Sequence, residues 1–292
     1  MTTKNLKILV AGGTGLVGSA VIRNLMERGF TNIVGTYHSR QPADIKKVSF
    51  KKVDLLDQKA VQKLYEEIKP DWVFVAAAKV GGIIANSTYR GQFLYENMQM
   101  QNNLIHEAYN AGIPKLMFFG SSCIYPKHAR QPMNEDELLT DVPEYTNEPY
   151  AIAKIAGLKL CENYNLQYGT NFISVMPTNL YGPNDNYHLE NSHVLAAIIR
   201  KIHLAKCLDE DNWDALRNDL NRRPINSVDG NSTKEDILNE LARQGIFEEK
   251  PARLQLWGTG NPRREFLHSD DLADACVFLM ENLDFKDILA ND

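Results

Sequence analysis

Long apolar runs are missing from this sequence. The longest, near Trp72–Ala78, has the length of a β-strand, well short of the roughly 20 residues that a membrane-spanning helix requires. The apolar stretch at the N-terminus is equally short and leads directly into Gly12 and Gly13, which is typical of a first β-strand and a turn, not of a signal peptide. We therefore expect a protein without a membrane partner.

Cysteine is scarce and shows no pairing pattern. The four cysteines, Cys123, Cys161, Cys207 and Cys276, stand far apart, with no C-x-x-C pair and no histidine at the spacing of a zinc site. A chain of this length does not need disulfides or a metal to stabilise its core. We expect reduced thiols, a cytoplasmic location and no bound metal.

An excess of positive charge is absent as well. The 292 residues carry 32 Lys and Arg against 37 Asp and Glu, a net charge of −5, whereas a dedicated nucleic-acid-binding protein usually has a basic stripe. Hydrophobic residues make up 43% and charged residues 24%, the profile of a folded globular protein and not of a disordered one. We expect no nucleic acid partner, and the length allows one large domain or two smaller ones.

Strand-like runs alternate with helical patterns through the first half of the chain. The predicted strands are Lys7–Ala11, Ile33–Tyr37, Val48–Val53, Trp72–Ala76 and Lys115–Gly120. The predicted helices between them are Ser19–Arg28, Gln58–Ile68 and Phe93–Asn110. This alternation predicts an α/β fold, a Rossmann-like doubly wound parallel sheet whose ligand site lies at the carboxyl ends of the strands.

The second half of the sequence is less regular. A predicted strand over Asn171–Met176 is followed by a polar loop and a helix near Val194–Leu204. Residues 206–253 are polar and rich in turn residues, with one short helix predicted after the capping residue Thr233. Phe266–His268 begins a return to strand and helix.

These patterns divide the chain into two predicted parts. Residues 1–180 form the Rossmann domain, to which residues 266–283 return. Residues 181–265 form a smaller C-terminal α/β lobe for the substrate, and this lobe contains the polar insertion at about 206–253.

A glycine loop directly follows the first predicted strand and opens a helix. The loop consists of Gly12, Gly13, Thr14, Gly15, Leu16, Val17 and Gly18. Glycine lets the backbone turn tightly and approach a pyrophosphate, whose charge is favoured by the helix N-terminus. A glycine triplet alone would also suit a simple tight turn, but the strand before it and the helix after it favour a dinucleotide site.

The end of the second predicted strand indicates which dinucleotide binds. An NAD enzyme usually has an acidic residue there for the ribose 2′-hydroxyl, whereas this chain has Ser39 and Arg40, with no acid before Asp44. The Arg40 guanidinium offers a planar fork of donors to a 2′-phosphate, although it could also be a solvated loop charge. We predict NADP(H), with Asp54 either accepting from the adenine amino group or capping the following helix.

Ser121, Tyr150 and Lys154 form the candidate catalytic group. The sequence contains two Tyr-x-x-x-Lys pairs, and Tyr65 and Lys69 end a helix far from the carboxyl edge, where we expect the surface. Tyr150 and Lys154 begin a helix, on one face of it, and the ammonium is expected to lower the pKa of the phenol. Ser121 leaves the fifth strand at the carboxyl edge. With hydride from a nicotinamide and a proton from Tyr150, this group would reduce a ketone.

Together, these motifs resemble the extended short-chain dehydrogenase/reductase family. Longer stretches are similar to one branch of it, the GDP-L-fucose synthases, which use NADPH. These stretches are AAAKVGGI (76–83), GSSCIYPK (120–127), NEPYAIAKIAG (147–157), MPTNLYGPNDN (176–186), NSHV (191–194) and REFLH (264–268). The likeness runs through most of the chain and is not confined to generic motifs.

The resemblance implies a substrate and two chemical steps. GDP-4-keto-6-deoxy-D-mannose is inverted at C3 and C5 and then reduced at C4 to GDP-L-fucose. A 4-ketone acidifies the protons on both neighbouring carbons, so an acid/base pair can remove and return them. By resemblance, Cys123 and His193 are this pair, while Ser121, Tyr150 and Lys154 hold the ketone and complete the reduction. On residue chemistry alone, Cys123 could be a small buried thiol and His193 a residue at a helix N-terminus.

The resemblance also implies binding residues. For the cofactor it adds Ala76, Ala77, Ala78, Lys79, Gly120, Ser122, Pro177, Thr178, Asn179 and Leu180 to the glycine loop and Lys154. For the nucleotide diphosphate it points to Lys201, Trp257 and Arg264. Arg264 could bind phosphate oxygens with two donors, whereas Lys201, where the family more often has arginine, would act as a point charge. Trp257 could stack on the substrate or belong to the core.

Three hypotheses of function remain open. The leading one is an NADPH-dependent epimerase and reductase acting on a GDP-4-keto-6-deoxy sugar. The nearest alternative is a C4 reductase of a related GDP-4-keto-6-deoxy hexose or heptose without epimerisation, which proton exchange at C3 and C5 would distinguish. A more remote one is a non-catalytic NADP-binding protein, which we would expect to lack the tyrosine or the lysine.

Two structural expectations follow from the resemblance. Family members pair two long helices per subunit in a four-helix interface, so the helices around Phe93–Asn110 and Tyr150–Tyr168 predict a homodimer. Family members also continue with further strand and helix beyond the position of Leu283, so we expect the substrate lobe to be incomplete in this chain.

Overall fold

A computed structural model describes residues 4–42, 45, 47–256 and 258–289. The strands are β1 (Lys7–Ala11), β2 (Asn32–Tyr37), β3 (Val48–Lys52), β4 (Trp72–Val75), β5 (Lys115–Phe119), β6 (Phe172–Val175), β7 (Asn179–Tyr181), β8 (Ile246–Phe247), β9 (Arg253–Leu254) and β10 (Phe266–His268). The helices are α1 (Leu16–Glu27), α2 (Gln58–Ile68), α3 (Ile83–Thr88), α4 (Arg90–Asn110), α5 (Glu148–Tyr168), α6 (Val194–Asp209), α7 (Trp213–Arg222), α8 (Lys234–Arg243), α9 (Ser269–Asn282) and α10 (Phe285–Leu289). None of the helices in these ranges is long and apolar enough to cross a membrane.

The chain divides into two compact units. The first contains the residues up to Val80, then Asn86–Asn184 and those from Glu265 onward. The second contains Gly81–Ala85 and Asp185–Arg264. The short piece Gly81–Ala85 therefore belongs with the second unit, although it lies within the range predicted for the Rossmann domain.

Six parallel strands form the sheet of the first unit, in the order β3-β2-β1-β4-β5-β6. In register, Ile8 of β1 lies between Ile33 of β2 and Trp72 of β4. Strand order reverses at β1, and ligands of doubly wound folds bind outside the carboxyl ends of the strands at such a switch point. The predicted Rossmann-like α/β fold is confirmed.

Helices cover both faces of this sheet. On one face, α2, α4 and α5 bury Val61, Leu64, Leu104 and Leu158 against it. On the other, α1 and α9 bury Ala20, Leu25, Leu272 and Val277. Because both faces are covered, the inner strands are continuous apolar runs, which is why the sequence pattern located them.

Tyr65 lies in the core, so the prediction of a surface position was wrong. Its side chain is 1% exposed, and its hydroxyl donates to the carbonyl oxygen of Leu104 at 2.9 Å. Tyr65 shares the apolar face of α2 with Val61 and Leu64, which packs toward α4. This hydrogen bond inside the protein offsets the free-energy cost of burying the phenol hydroxyl.

The second unit folds around a core of its own. Helices α6, α7 and α8 and the antiparallel pair β8–β9 enclose Leu204, Leu208, Leu216, Leu220, Ile237, Leu241 and Ile246. The predicted single helix in residues 206–253 was incomplete, because α7 precedes α8. Asn212 caps α7 by accepting from the Ala215 N–H, and Thr233 caps α8 by accepting from the Asp236 N–H. Charged residues surround the narrow apolar stripe of α7, so the hydrophobic pattern of the sequence did not predict this helix.

Candidate active site

The backbone of the glycine loop packs directly against the backbone of neighbouring segments. The N–H groups of Gly12 and Gly13 donate to the hydroxyl and carbonyl oxygens of Thr36 at 3.0 and 2.8 Å. Gly12 has φ +83°, and a Cβ there would lie 2.8 Å from the backbone of Ala77. A Cβ on Gly18 would overlap the carbonyl oxygen of Gly12. Glycine is therefore required at both positions for the close approach of β1, β4 and α1.

Helix α1 begins within this loop, and no side chain caps the N-terminus of the helix. Its N-cap is Gly15, and its first turn carries no acidic residue. The first N–H groups of a helix have no partner within the helix and attract an anion. The loop, with Thr14, Leu16 and Val17, therefore suits a dinucleotide pyrophosphate.

Ser39 and Arg40 are exposed beyond the end of β2. The Arg40 guanidinium donates to the backbone oxygen of Asn184 at 3.0 Å and to its side-chain oxygen at 3.1 Å. Asp54 follows β3 and accepts from the Leu56 N–H at 3.0 Å. The capping alternative for Asp54 was wrong, because Asp57 caps α2 by accepting from the Lys59 N–H at 2.9 Å.

Asn97 of α4, which was not among the residues predicted from the sequence, fixes the loop after β4. Its side chain accepts from the Lys79 N–H at 2.8 Å and donates to the carbonyl oxygens of Lys79 and Phe93 at 3.0 and 2.7 Å. It is 2% exposed. The signal was present, since Asn97 lies on the buried stripe of α4 between Phe93 and Leu104, where a polar residue requires partners. Ala76, Ala77 and Ala78 precede this anchored residue.

Backbone hydrogen bonds between the two chain segments continue beyond the carboxyl ends of β5 and β6. Gly120 N–H donates to the Val175 carbonyl oxygen at 2.8 Å, and Ser122 N–H donates to the Pro177 carbonyl oxygen at 2.9 Å. The predicted cofactor segments Gly120–Ser122 and Pro177–Leu180 thus lie side by side. Asn179 and Leu180, expected in a loop, belong to β7, which pairs in parallel with β10.

Ser121 and Cys123 occupy a short 3₁₀ turn directly after β5. The Ser121 hydroxyl accepts from the Cys123 N–H at 3.4 Å. Burial raises the pKa of the Cys123 thiol, while hydrogen bonds with Ser121 and Asn147 and the charge of Lys154 oppose that rise. Asn147, the residue before α5, is a second contributor that was not predicted from the sequence.

Tyr150 and Lys154 lie in the first two turns of α5. Lys154 is 3% exposed, and its ammonium donates to the Phe119 carbonyl oxygen at 2.7 Å, above the ring of Phe118. Burial lowers the pKa of Lys154 to about 8, and the nearby Cys123 thiol opposes this. The Lys154 nitrogen lies 5.6 Å from the centre of the Tyr150 ring.

The expected lowering of the Tyr150 pKa is not found. Burial raises the pKa of the Tyr150 phenol above its usual value, and Cys123 adds to the rise. The reason is that desolvation penalises the phenolate more than Lys154, itself buried and bonded to Phe119, can stabilise it. The phenol therefore keeps its proton, which is the state that a proton donor needs.

The predicted residues of the second unit lie in separate places. His193 is exposed and stands directly before α6, with no side-chain cap bond. Lys201 is 6% exposed, donates to the Gln244 carbonyl oxygen at 2.5 Å, and has its pKa lowered by burial. Arg264 is exposed and donates to the Arg263 carbonyl oxygen. Trp257 lies outside the described residues.

Four of the five predicted catalytic residues therefore meet in the first unit. A phenol, an ammonium, a hydroxyl and a thiol surround the carboxyl end of β5, where a substrate carbonyl would be polarised and protonated. The fifth, His193, belongs to the second unit.

Comparison with known proteins gives the family. The sequence model of the NAD dependent epimerase/dehydratase family matches residues 8–230 and 226–289. GDP-L-fucose synthase 1 of Arabidopsis thaliana is 47% identical over 281 residues, which are 96% of this chain and 71% of that protein. A GDP-D-glycero-L-gluco-heptose synthase from Campylobacter jejuni, solved in the presence of NADPH, has a TM-score of 0.87 at 40% identity and covers 100% of this chain and 78% of its own. The GDP-mannoheptose C4 reductase of that organism, with NADP bound, has a TM-score of 0.80 at 39% identity over 98% of this chain and 78% of its own. The predicted resemblance is confirmed, and the chain belongs to the NAD dependent epimerase/dehydratase family.

Proposed function

We propose that the protein converts GDP-4-keto-6-deoxy-D-mannose to GDP-L-fucose with NADPH, by epimerisation at C3 and C5 and reduction of the C4 ketone. The observation that carries the proposal is the meeting of Ser121, Cys123, Tyr150 and Lys154 around the carboxyl end of β5. The similarity to the Arabidopsis GDP-L-fucose synthase supports the choice of substrate.

The first unit is the proposed NADP(H)-binding unit. The glycine loop and the uncapped N-terminus of α1 would hold the pyrophosphate. Ser39 and Arg40 would hold the 2′-phosphate, with Asp54 near the adenine. Residues 76–79 would lie along the nicotinamide side, and residues 120–122 and 177–180 would also contact the cofactor. When bound, the cofactor supplies the hydride for C4.

The reduction uses the hydroxyl and ammonium groups of the first unit. Tyr150 donates its proton to the ketone oxygen while Ser121 donates a hydrogen bond to the same atom. Lys154 places a positive charge beside the phenol as negative charge develops on the phenolate. The backbone oxygen of Phe119 holds Lys154 in place for this role.

The epimerisation requires one group on each side of the sugar ring. Cys123 and His193 are the proposed acid/base pair. The thiol carries its proton in the free chain because burial raises its pKa. Any step in which Cys123 acts as a base must therefore follow loss of that proton.

The second unit is the proposed site of the GDP-sugar. Arg264 is exposed and has donors to offer to phosphate oxygens. Lys201 would contribute to the diphosphate as a point charge. Trp257 is proposed to stack on the substrate.

We also propose a homodimer in the cytoplasm. Helices α4 and α5, which pack together, leave Tyr95, Ile152, Leu166 and Tyr168 exposed, and a second copy would bury these side chains in a four-helix interface. The four cysteines are all free thiols, as in a reducing compartment.

A specific observation favours one alternative function. The solved GDP-mannoheptose C4 reductase is 39% identical over 98% of this chain. The Ser121, Tyr150 and Lys154 group would serve equally in a C4 reductase that does not epimerise, acting on a related GDP-4-keto-6-deoxy hexose or heptose.

The test combines product analysis with isotope exchange. The protein is incubated with NADPH and GDP-4-keto-6-deoxy-D-mannose in deuterated water, absorbance at the NADPH band is followed, and the product is identified by NMR. We expect GDP-L-fucose with deuterium at C3 and C5. A reduced sugar without deuterium at these carbons would establish the C4 reductase instead, and no NADPH oxidation with either hexose or heptose substrates would contradict both.

The pH dependence of reduction is predicted from Lys154. Its pKa of about 8 in the free protein means that the ammonium is present below that pH and is lost above it. Because kcat/KM reports ionisations of the free enzyme, kcat/KM for ketone reduction should fall tenfold per pH unit above about 8. Lys154→Arg should move this decline to higher pH, since a guanidinium stays charged. A flat profile to pH 10 in the unsubstituted protein would contradict the role of Lys154.

A further inference from the structure

Asn184 accepts two hydrogen bonds from Arg40, the arginine just beyond the end of β2. The Arg40 guanidinium uses two of its five N–H donors on the backbone and side-chain oxygens of this one residue, at 3.0 and 3.1 Å. The other three donors make no hydrogen bond among the described residues. The arginine is exposed, so without this contact its long side chain would be free to adopt many rotamers.

The Asn184 side chain is itself held in one orientation. Its amide nitrogen donates to the Ser19 hydroxyl at 3.1 Å. The Ser19 hydroxyl donates to the Leu16 carbonyl oxygen and also accepts from Arg23, so it can only accept from Asn184. The side-chain oxygen of Asn184 is consequently the atom that faces Arg40.

The backbone of Asn184 adopts an uncommon conformation. Its φ of +67° lies in the left-handed region, which asparagine tolerates better than most residues. In this conformation its carbonyl and side-chain oxygens face the same guanidinium. The contacts thus join the end of β2 to the first turn of α1, the two elements proposed to bind the 2′-phosphate and the pyrophosphate.

We propose that Asn184 is a positioning residue for NADPH selectivity, which orders Arg40 in advance for the 2′-phosphate. The inference rests on the proposed cofactor site. Ordering a flexible side chain before binding lowers the entropy lost on binding, and only a ligand that contacts Arg40 benefits. Asn184 itself touches no phosphate in this proposal. Its effect should therefore appear with NADPH and be absent with NADH.

The experiment measures binding directly, without any sugar substrate. NADPH and NADH are titrated by nicotinamide fluorescence into the unsubstituted protein and into Asn184→Gly, which suits φ +67° and removes the side chain. We expect about 3- to 10-fold weaker NADPH binding, from the loss of one ordered side chain, with NADH affinity unchanged. In an Arg40→Met background, Asn184→Gly should have no further effect on NADPH.

The matched control is Asn226→Gly. Asn226 is another left-handed asparagine, in the second unit, whose amide donates to Glu240. It should leave the NADPH to NADH preference unchanged. Equal weakening of both nucleotides by Asn184→Gly, tighter NADPH binding, or no NADPH preference in the unsubstituted protein would each overturn the proposal. Failure to act on a GDP-4-keto sugar would not, since binding is measured in its absence.

Discussion

Replacing Tyr150 with phenylalanine is expected to lower the rate of C4 ketone reduction by about 10²- to 10⁴-fold, the usual contribution of a general acid. The substitution removes only the hydroxyl, and the raised pKa of this phenol means that it carries the proton to be transferred. Single-turnover oxidation of NADPH in the presence of the keto sugar measures the step. Binding of NADPH should be retained.

The chain offers a matched control in its second Tyr-x-x-x-Lys pair. Tyr65→Phe removes a hydroxyl that bonds the Leu104 carbonyl oxygen in the core, away from the group around β5. It should reduce the free energy of unfolding by about 0.5–1.5 kcal/mol, the net value of one hydrogen bond, and leave the rate unchanged. If Tyr150→Phe keeps more than a tenth of the rate, Tyr150 is not the proton donor.

Replacing Cys123 with alanine should change the product. Deuterium exchange at C3 and C5 is expected to fall by about 10²- to 10⁴-fold, because the acid/base group is lost. Reduction should persist, so the reduced sugar accumulates without inversion, as GDP-D-rhamnose or its 6-deoxy-talose isomer. NMR of the product and of the isotope content measures both effects. The reduction rate should stay close to that of the unsubstituted protein, because the proposed C4 step uses Ser121, Tyr150 and Lys154 and not the thiol.

Cys161→Ala is the control for this substitution. Cys161 lies on α5 in the hydrophobic core, and burial raises the pKa of its thiol to about 12, so it takes no part in proton transfer near neutral pH. This variant should give the same product as the unsubstituted protein. GDP-L-fucose formation by Cys123→Ala would assign the epimerisation to other residues, and loss of all reduction would mean that Cys123 serves the C4 step.

Local patterns predicted most of the first unit. Apart from Lys7 and Lys115 at the first positions of β1 and β5, the runs at β1, β4 and β5 are apolar because both faces of the sheet are covered, and such runs are visible without a structure. The glycine loop was equally visible, since close backbone packing at Gly12 and Gly18 leaves no room for any side chain. Helix α7 was not, because its buried residues are only Leu216 and Leu220, in a stretch rich in charged residues.

The sequence by itself determined the fold class, the glycine loop, and the placement of Ser121 after a strand and of Tyr150 and Lys154 at the start of a helix. These features depend on periodicity and on residue type. Only the tertiary structure decided that Tyr65 lies in the core, that Asn97 and Asn147 support the surroundings of the site, and that Asn184 holds Arg40. It also reversed the expected direction of the Tyr150 pKa. The physical reason is that desolvation and hydrogen bonds between residues distant in sequence depend on which elements pack together, and no local pattern records that.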